Sequence, residues 1–455
     1  MKPPRLSQTA LALVLALALS AAAQAPAAAQ APAARDTSLG GFLEQLSDST
    51  DTYFGISAVP VDTAGLDTVL ADTATRPRRR LEFRGGPTYD FSRVDGSTPG
   101  LSASVGDAER DPERTGWGKL RGEIARANGP RRMLGGVRYT NRLSLARQPF
   151  DLSLWAGRRT AHLDRDEDEG LLILARAFLW GADWTQYQRV DGFEGSLAHP
   201  HGWWRASAGY RDLLQSPLDP TATWNLFSRE LETTANLAAT PGRARELEYT
   251  AAAHWPRTPL HTEVAYQTSS RRLGSDFEYR RVRAAAGLDL SLGRFASLVP
   301  QFSYGRLTGD PLPQASFYLG ALGTLRSRHR DELGGTGVAL AKLDLIGASD
   351  LLTFLRIPHP AVLPLRGALF AASGALWGRD PYTGRIVPGG DWPERRGWTS
   401  EAGVSLLYDS ALFPGNSSLR VSCAWPIGAE AGRPRWSVSF TRALDLLGPE
   451  PEEEE

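Results

Sequence analysis

The chain has 455 residues with 51 basic and 51 acidic side chains, so its formal net charge is zero and it carries no uniform field to draw in a nucleic acid. Its one cysteine, Cys423, excludes an intramolecular disulfide framework. No apolar run reaches the roughly 18 to 20 residues of a spanning helix, so a membrane span would have to be a closed β-barrel, the other structure that satisfies every backbone group in lipid.

Residues 1–23 read as a secretory signal peptide: Lys2 and Arg5, an apolar run from Ala10 to Leu19, then Ala21, Ala22 and Ala23. Cleavage is expected after Ala23 or, alternatively, after Ala29. Residues 30–80 are rich in Ala, Pro, Asp and Thr and close on PRRR; they read as a periplasmic linker or short plug, with one short helix near Gly41–Leu46.

From Leu81 the texture changes to short alternating segments punctuated by Gly, Pro, Asp and Asn. In RELEYTAAAHW, residues 245–255, Leu247, Tyr249, Ala251, Ala253 and Trp255 share one face and Glu246, Glu248 and Thr250 the other. The same period runs through 281–292, 418–427 and 435–441. About sixteen such segments fit between Leu81 and Leu444, each near the length of a tilted membrane strand. A soluble sandwich or propeller also alternates. The absence of an internal repeat favours a barrel, as do charges such as Lys119, Arg121 and Glu123 opposite Leu120 and Ile124, which suit a water-filled lumen. The expected fold is all-β: a transmembrane antiparallel β-barrel of about sixteen strands over 81–444, followed by an acidic tail, 445–455.

Two segments stand apart. The run DRDEDEG, residues 164–170, has Glu169 at the sixth place and Ala175 at the twelfth, where a calcium loop needs Gly and Glu, so it reads as an exposed hairpin tip. In 171–190, Trp180, Trp184 and Tyr187 at helical spacing predict a short helix with an aromatic stripe, set at the bilayer rim or packed on neighbouring strands. Seven histidines are scattered without metal-ligand spacing, and no GxSxG elbow or phosphate loop is present. No catalytic residue, metal or cofactor is assigned, and an enzyme is not expected. A membrane-embedded hydrolase would need an inward Ser or Asp beside a His, a pairing that sequence alone does not show.

The stretch FYLGALGTLRSRHRDELGGTGVALAKLDL, residues 317–345, resembles the sixth-loop region of the BamA/TamA outer-membrane family, the bacterial surface antigen superfamily. Phe317, Leu319, Gly320, Gly323, Thr324, Leu325, Arg326, Gly335 and Asp344 carry the likeness; Ser327 stands where glycine is usual and Arg328 where an aromatic is usual. Residues 89–96 are similar to the family's opening strand, and 419–428 with 433–444 to its last two strands. The periplasmic docking domains of the family have no counterpart in residues 30–80. The resemblance implies a barrel in the outer membrane of a two-membrane bacterium, with a loop finger directed into the lumen. Gly323, Thr324, Leu325, Arg326 and Arg328 would form that finger, Asp344 would be the acidic partner of Arg326, and Trp436, Val438 and Phe440 would line the seam between the last strand and a first strand near Leu81–Val105. It further implies outer-membrane lipids and unfolded outer-membrane or secreted polypeptides as partners, and a role in inserting or exporting proteins or lipids. A passive pore or surface-structural barrel is the alternative.

Overall fold

The computed structural model describes residues 81–442, apart from short stretches of which the longest are 108–117, 164–177, 227–235, 358–364 and 410–416. The signal peptide, the linker or plug, the run 164–170 and the acidic tail lie outside the described residues.

One antiparallel sheet of 18 strands dominates; two of them, Leu290–Ser291 and Ile386–Val387, are two-residue pieces, which leaves sixteen full strands. These are β1 (Leu81–Ser92), β2 (Gly96–Asp107), β3 (Lys119–Ala127), β4 (Arg132–Leu145), β5 (Gln148–His162), β6 (Tyr187–His201), β7 (Trp204–Pro217) and β8 (Gly242–His254). They continue with β9 (Leu260–Ser269), β10 (Tyr279–Leu288), β11 (Ala296–Gly309), β12 (Gly337–Gly347), β13 (Leu365–Arg379), β14 (Trp398–Asp409), β15 (Ser417–Ile427) and β16 (Arg435–Arg442). Each pairs with its neighbour in sequence, so the chain is one continuous meander. The piece Leu290–Ser291 keeps the register of β10; the ladder breaks where Pro300, which has no N–H, comes opposite.

The two faces of this sheet invert the rule for soluble proteins. Phe83 is 73% exposed, Leu101 63% and Leu369 57%, whereas Glu246 and Glu401, on the other face, are each 1% exposed. Apolar side chains outside and partnered charges inside are stable only when lipid surrounds the sheet and the polar face lines a lumen. The fold is therefore that of a transmembrane β-barrel. Among the described residues no ladder joins β1 to β16. The four longest connections, 163–186, 218–241, 310–336 and 380–397, all leave the same end of the meander. Short turns mark the periplasmic end of bacterial barrels, which makes the end with the long connections the outer one.

Two expectations need correction. Leu81–Val105 is not one strand but a hairpin, β1 and β2, because the chain reverses at 93–95 with Gly96 at φ 65°. Tyr187 is not part of a helix over 171–190: Tyr187–Val190 begin β6 and pair with β5, while most of 171–186 lies outside the described residues. Phe178 alone in that stretch is described as helical, and Trp180 and Trp184 lie outside the described residues.

A row of inward glycines, Gly136, Gly157 and Gly192, lies directly opposite one another on β4, β5 and β6. Gly192 has φ 155°, a conformation that L side chains rarely adopt, and a Cβ there would fall against the carbonyl oxygen of Asp212. Gly192→Ala is expected to cost about 1–3 kcal/mol in backbone strain and to lower the fraction of barrel that folds, read by heat-modifiable gel mobility. Gly122→Ala, where nothing lies within 4 Å of the added methyl, should stay within about 0.5 kcal/mol of the parent.

Candidate functional site: a loop finger braced inside the barrel

Residues 310–336, between β11 and β12, turn inward. Their base is a small hairpin in which Phe317 pairs with Gly335 and Leu319 with Leu333. Phe317, Leu319 and Leu325 join Tyr279, Leu307, Val338 and Leu340 of the barrel wall in one buried apolar cluster. The hydrophobic core of the molecule thus lies within the barrel, where burying Leu325 completely holds the finger down.

The tip is fixed by backbone bonds before any guanidinium is involved. Thr324 Oγ1 accepts from the Gly320 N–H at 2.7 Å, and Lys342 Nζ donates to the Gly323 carbonyl at 2.7 Å. The backbone N–H groups of Arg326 and Ser327 donate to the two carboxylate oxygens of Glu401, at 2.8 and 2.6 Å. Ser327 is not among the non-glycine residues with positive φ, so the tip has a shape that serine can hold. Arg328 turns back to Glu332, 3.0 Å away.

Four adjacent strands then meet Arg326 with one inward residue each. Its guanidinium lies 3.3 Å from Asp344 Oδ1 on β12 and 4.0 Å above the ring of Phe370 on β13. Glu401 comes from β14, and Arg420 on β15 donates to the same oxygen of Asp344. Arg420 is itself oriented by Ser405 Oγ at 3.1 Å. Asp344 therefore bridges two buried cations, a geometry in which planar guanidinium groups hold a carboxylate well. Trp436 and Val438 lie elsewhere, on the outward face of β16, and Phe440 of the same strand pairs with Leu419 of β15. The sequence reading named Arg326 and Asp344 but not Phe370, Glu401 or Arg420. A usable signal existed for Arg420, the basic residue on the polar face of an otherwise apolar alternation.

A second buried network lies at the outer end. Arg93, in the β1–β2 turn, is 2% exposed. Its Nη2 donates to the Thr185 carbonyl at 2.6 Å, to Gln186 Oε1 at 3.3 Å and to Asn236 Oδ1 at 3.3 Å, while its backbone N–H donates to Asp183 at 3.0 Å. The Gln186 N–H donates to Asp331 of the finger at 3.3 Å, and the Tyr382 hydroxyl donates to the Asp331 carbonyl. Connections rooted at five separate places around the barrel thus converge, which places them across the mouth. Burial holds the Arg93 guanidinium below its usual value, and the Asp183 charge counters this; burial likewise pushes the Asp183 carboxyl up, against the pull of the Arg93 N–H.

No family model matches the chain, and no curated protein matches it. Among solved structures it is similar to BamA from Haemophilus ducreyi lacking POTRA domains 1–3, at 13% identity and a TM-score of 0.48, over 80% of this chain and 71% of that one. It is similar to CdiB from Escherichia coli at 10% identity and a TM-score of 0.42, over 80% and 63%. It is also similar to the outer membrane protein OprD from Pseudomonas aeruginosa at 12% identity and a TM-score of 0.31, over 80% and 90%. At these scores the likenesses assign no activity.

Asp344→Asn would leave two guanidinium groups facing each other in a buried site, and is expected to cost on the order of 3–5 kcal/mol. Arg326→Met leaves Asp344 paired with Arg420 and should cost clearly less, about 1–2 kcal/mol. Urea unfolding midpoints in detergent rank the two; the reverse order would mean that Asp344 does not carry the brace. At the mouth, Arg93→Ala removes charge-assisted bonds of about 1.5–3 kcal/mol and is expected to raise single-channel conductance in planar bilayers. Equal conductance would show that the network does not seal the mouth.

Proposed function

We propose that the protein is an outer-membrane barrel that assists the insertion or translocation of polypeptides or lipids by parting the seam between β1 and β16. The single observation that carries this reading is the reach of the finger. Arg326 is tied through Asp344 to Arg420 on β15, and Arg420 lies opposite Ser439 of β16. A shift of the finger tip therefore bears on the strand next to the seam. Strand edges exposed at a parted seam have free N–H and C=O groups that can template a client strand. Arg326 and Asp344 act here as gating residues and not as catalytic ones. The convergence of loops across the mouth speaks against a permanently open passive pore.

The reading is tested by the rate at which an unfolded small outer-membrane barrel inserts into liposomes that contain this protein. The expected result is insertion faster than in empty liposomes by about tenfold or more, a lowering of the barrier by roughly 1.4 kcal/mol, with Arg326→Ala removing most of the gain. A rate equal to that of empty liposomes, with folding verified by heat-modifiable mobility, overturns it.

A further inference from the structure

The connection 380–397 straddles the outer rim. Its first half reaches inward, where Tyr382 meets the finger; its second half folds down over the outward face of β11–β14. Trp377 lies on the same face of β13 as the lipid-facing Leu369, yet it is buried, because Gly389 and Gly390 lie over it and its Nε1 donates to the Gly390 carbonyl at 3.1 Å. The Tyr304 hydroxyl donates to the Asp391 carbonyl at 3.0 Å, and Arg306 pairs with the Asp391 carboxylate. Trp392 stacks beside Phe302 and Tyr304, at 6.2 and 6.1 Å, and meets Trp398 at 6.1 Å. Beneath them Gly337, Ala339 and Ala375 form a notch of small residues on the outward face, which the rings fill; a Cβ at Gly337 would strike the Trp377 ring. The plate is built into the sheet, and Trp392 remains 50% exposed.

Around it stand Arg379, Arg385, Arg395 and Arg396, all exposed and, among the described residues, without an ion pair. Of the nearby acids, Asp391 is engaged by Arg306 and Asp380 by Thr383 and the Tyr382 N–H, while Glu394 is exposed beside Arg395, so the four arginines outnumber the acids around them. Aromatic rings on the outward face of a barrel settle at the level of the lipid headgroups. Guanidinium groups just beyond such rings match phosphate by their planar fork. We propose that this connection is a binding bracket for a phosphorylated glycolipid of the outer leaflet. Trp392 and Phe302 pack at the boundary between acyl chains and headgroup, and Arg395 and Arg396, with Arg379 and Arg385 beside them, hold the phosphates. The site lies on the lipid side of β11–β14, away from the finger and the seam.

The test uses the full protein in detergent, titrated with bisphosphorylated lipid A, with dephosphorylated lipid A and with inorganic phosphate, and bound lipid counted by native mass spectrometry. Saturable binding of the bisphosphorylated lipid is expected, weakened about ten- to thirtyfold in the Arg395→Gln/Arg396→Gln double variant, from roughly a tenfold loss or less per arginine. Equal binding of the dephosphorylated lipid, equal binding by the double variant, or no binding overturns the proposal; tight binding of inorganic phosphate alone assigns the arginines to a free anion and overturns it as well. A second measurement fixes the depth of the plate in bilayers. The emission lost on Trp392→Phe should be quenched by lipids brominated near the headgroup and not by water-soluble iodide. Quenching by iodide alone places the loop in water and sinks the idea. A dimer that forms without lipid and is abolished by Trp392→Ala would give the plate to a second copy of the chain instead.

Discussion

Arg326 pairs with Asp344 inside the barrel, and because Asp344 also takes Arg420, one carboxylate serves two cations. Glu401 is then left to the backbone N–H groups of Arg326 and Ser327, which fixes where the finger tip must lie. Phe370 lies under both guanidinium groups, at 4.0 and 5.8 Å, and so keeps water from one side of them. The four strands β12–β15 are therefore bound to one another twice, by their ladders and by a shared polar cluster.

The outer end has its own buried guanidinium, with different residues around it. Arg93 comes from the shortest connection at that end, and the loops gather around it because a guanidinium that is 2% exposed depends on the protein for its acceptors. The finger links the two systems: Leu325 and Arg326 belong to the interior cluster, whereas Asp331 bonds to Gln186 and Tyr382 in the cap. Asp331 has φ 53°, a left-handed turn in a non-glycine residue, which lets the chain leave the cap and return to the wall within a few residues.

Much of this was legible in the sequence for a simple reason. Lipid on one side and a wet lumen on the other impose a period of two, so the alternation in 245–255 and 281–292 marks strands, and it recurs as β8 and β10. The proximity of Arg326 to Asp344 could be read because both lie in one stretch of chain around a hairpin. Glu401 and Arg420 lie 75 and 94 positions beyond Arg326, and only the register of β12–β15 brings them to it. Arg93 is less readable still, since its partners sit on loops whose approach is set by tertiary packing. The misreading of Tyr187 has a related cause. Trp184 and Tyr187 carry helical spacing, yet Tyr187 pairs with His162, and a ladder partner outweighs an aromatic stripe.

The outer end of β1 is pinned on its lipid-facing side, where Phe91 packs against Phe178 at 5.6 Å and Trp224 at 5.3 Å, rings carried on the β5–β6 and β7–β8 connections. The Thr221 N–H and hydroxyl also donate to the Arg93 and Val94 carbonyls at the tip of the same hairpin. Among the described residues the ladder of β16 is with β15, over Arg435–Arg442, and Trp425 and Ile427 of β15 lie exposed beyond its start. Of the strands at the proposed seam, β1 is thus tied into the cap, and β15, next to β16, is tied to the finger. A parting of the proposed seam would then leave the outer end of β1 in place, held by the Thr221 bonds and the Phe91 packing.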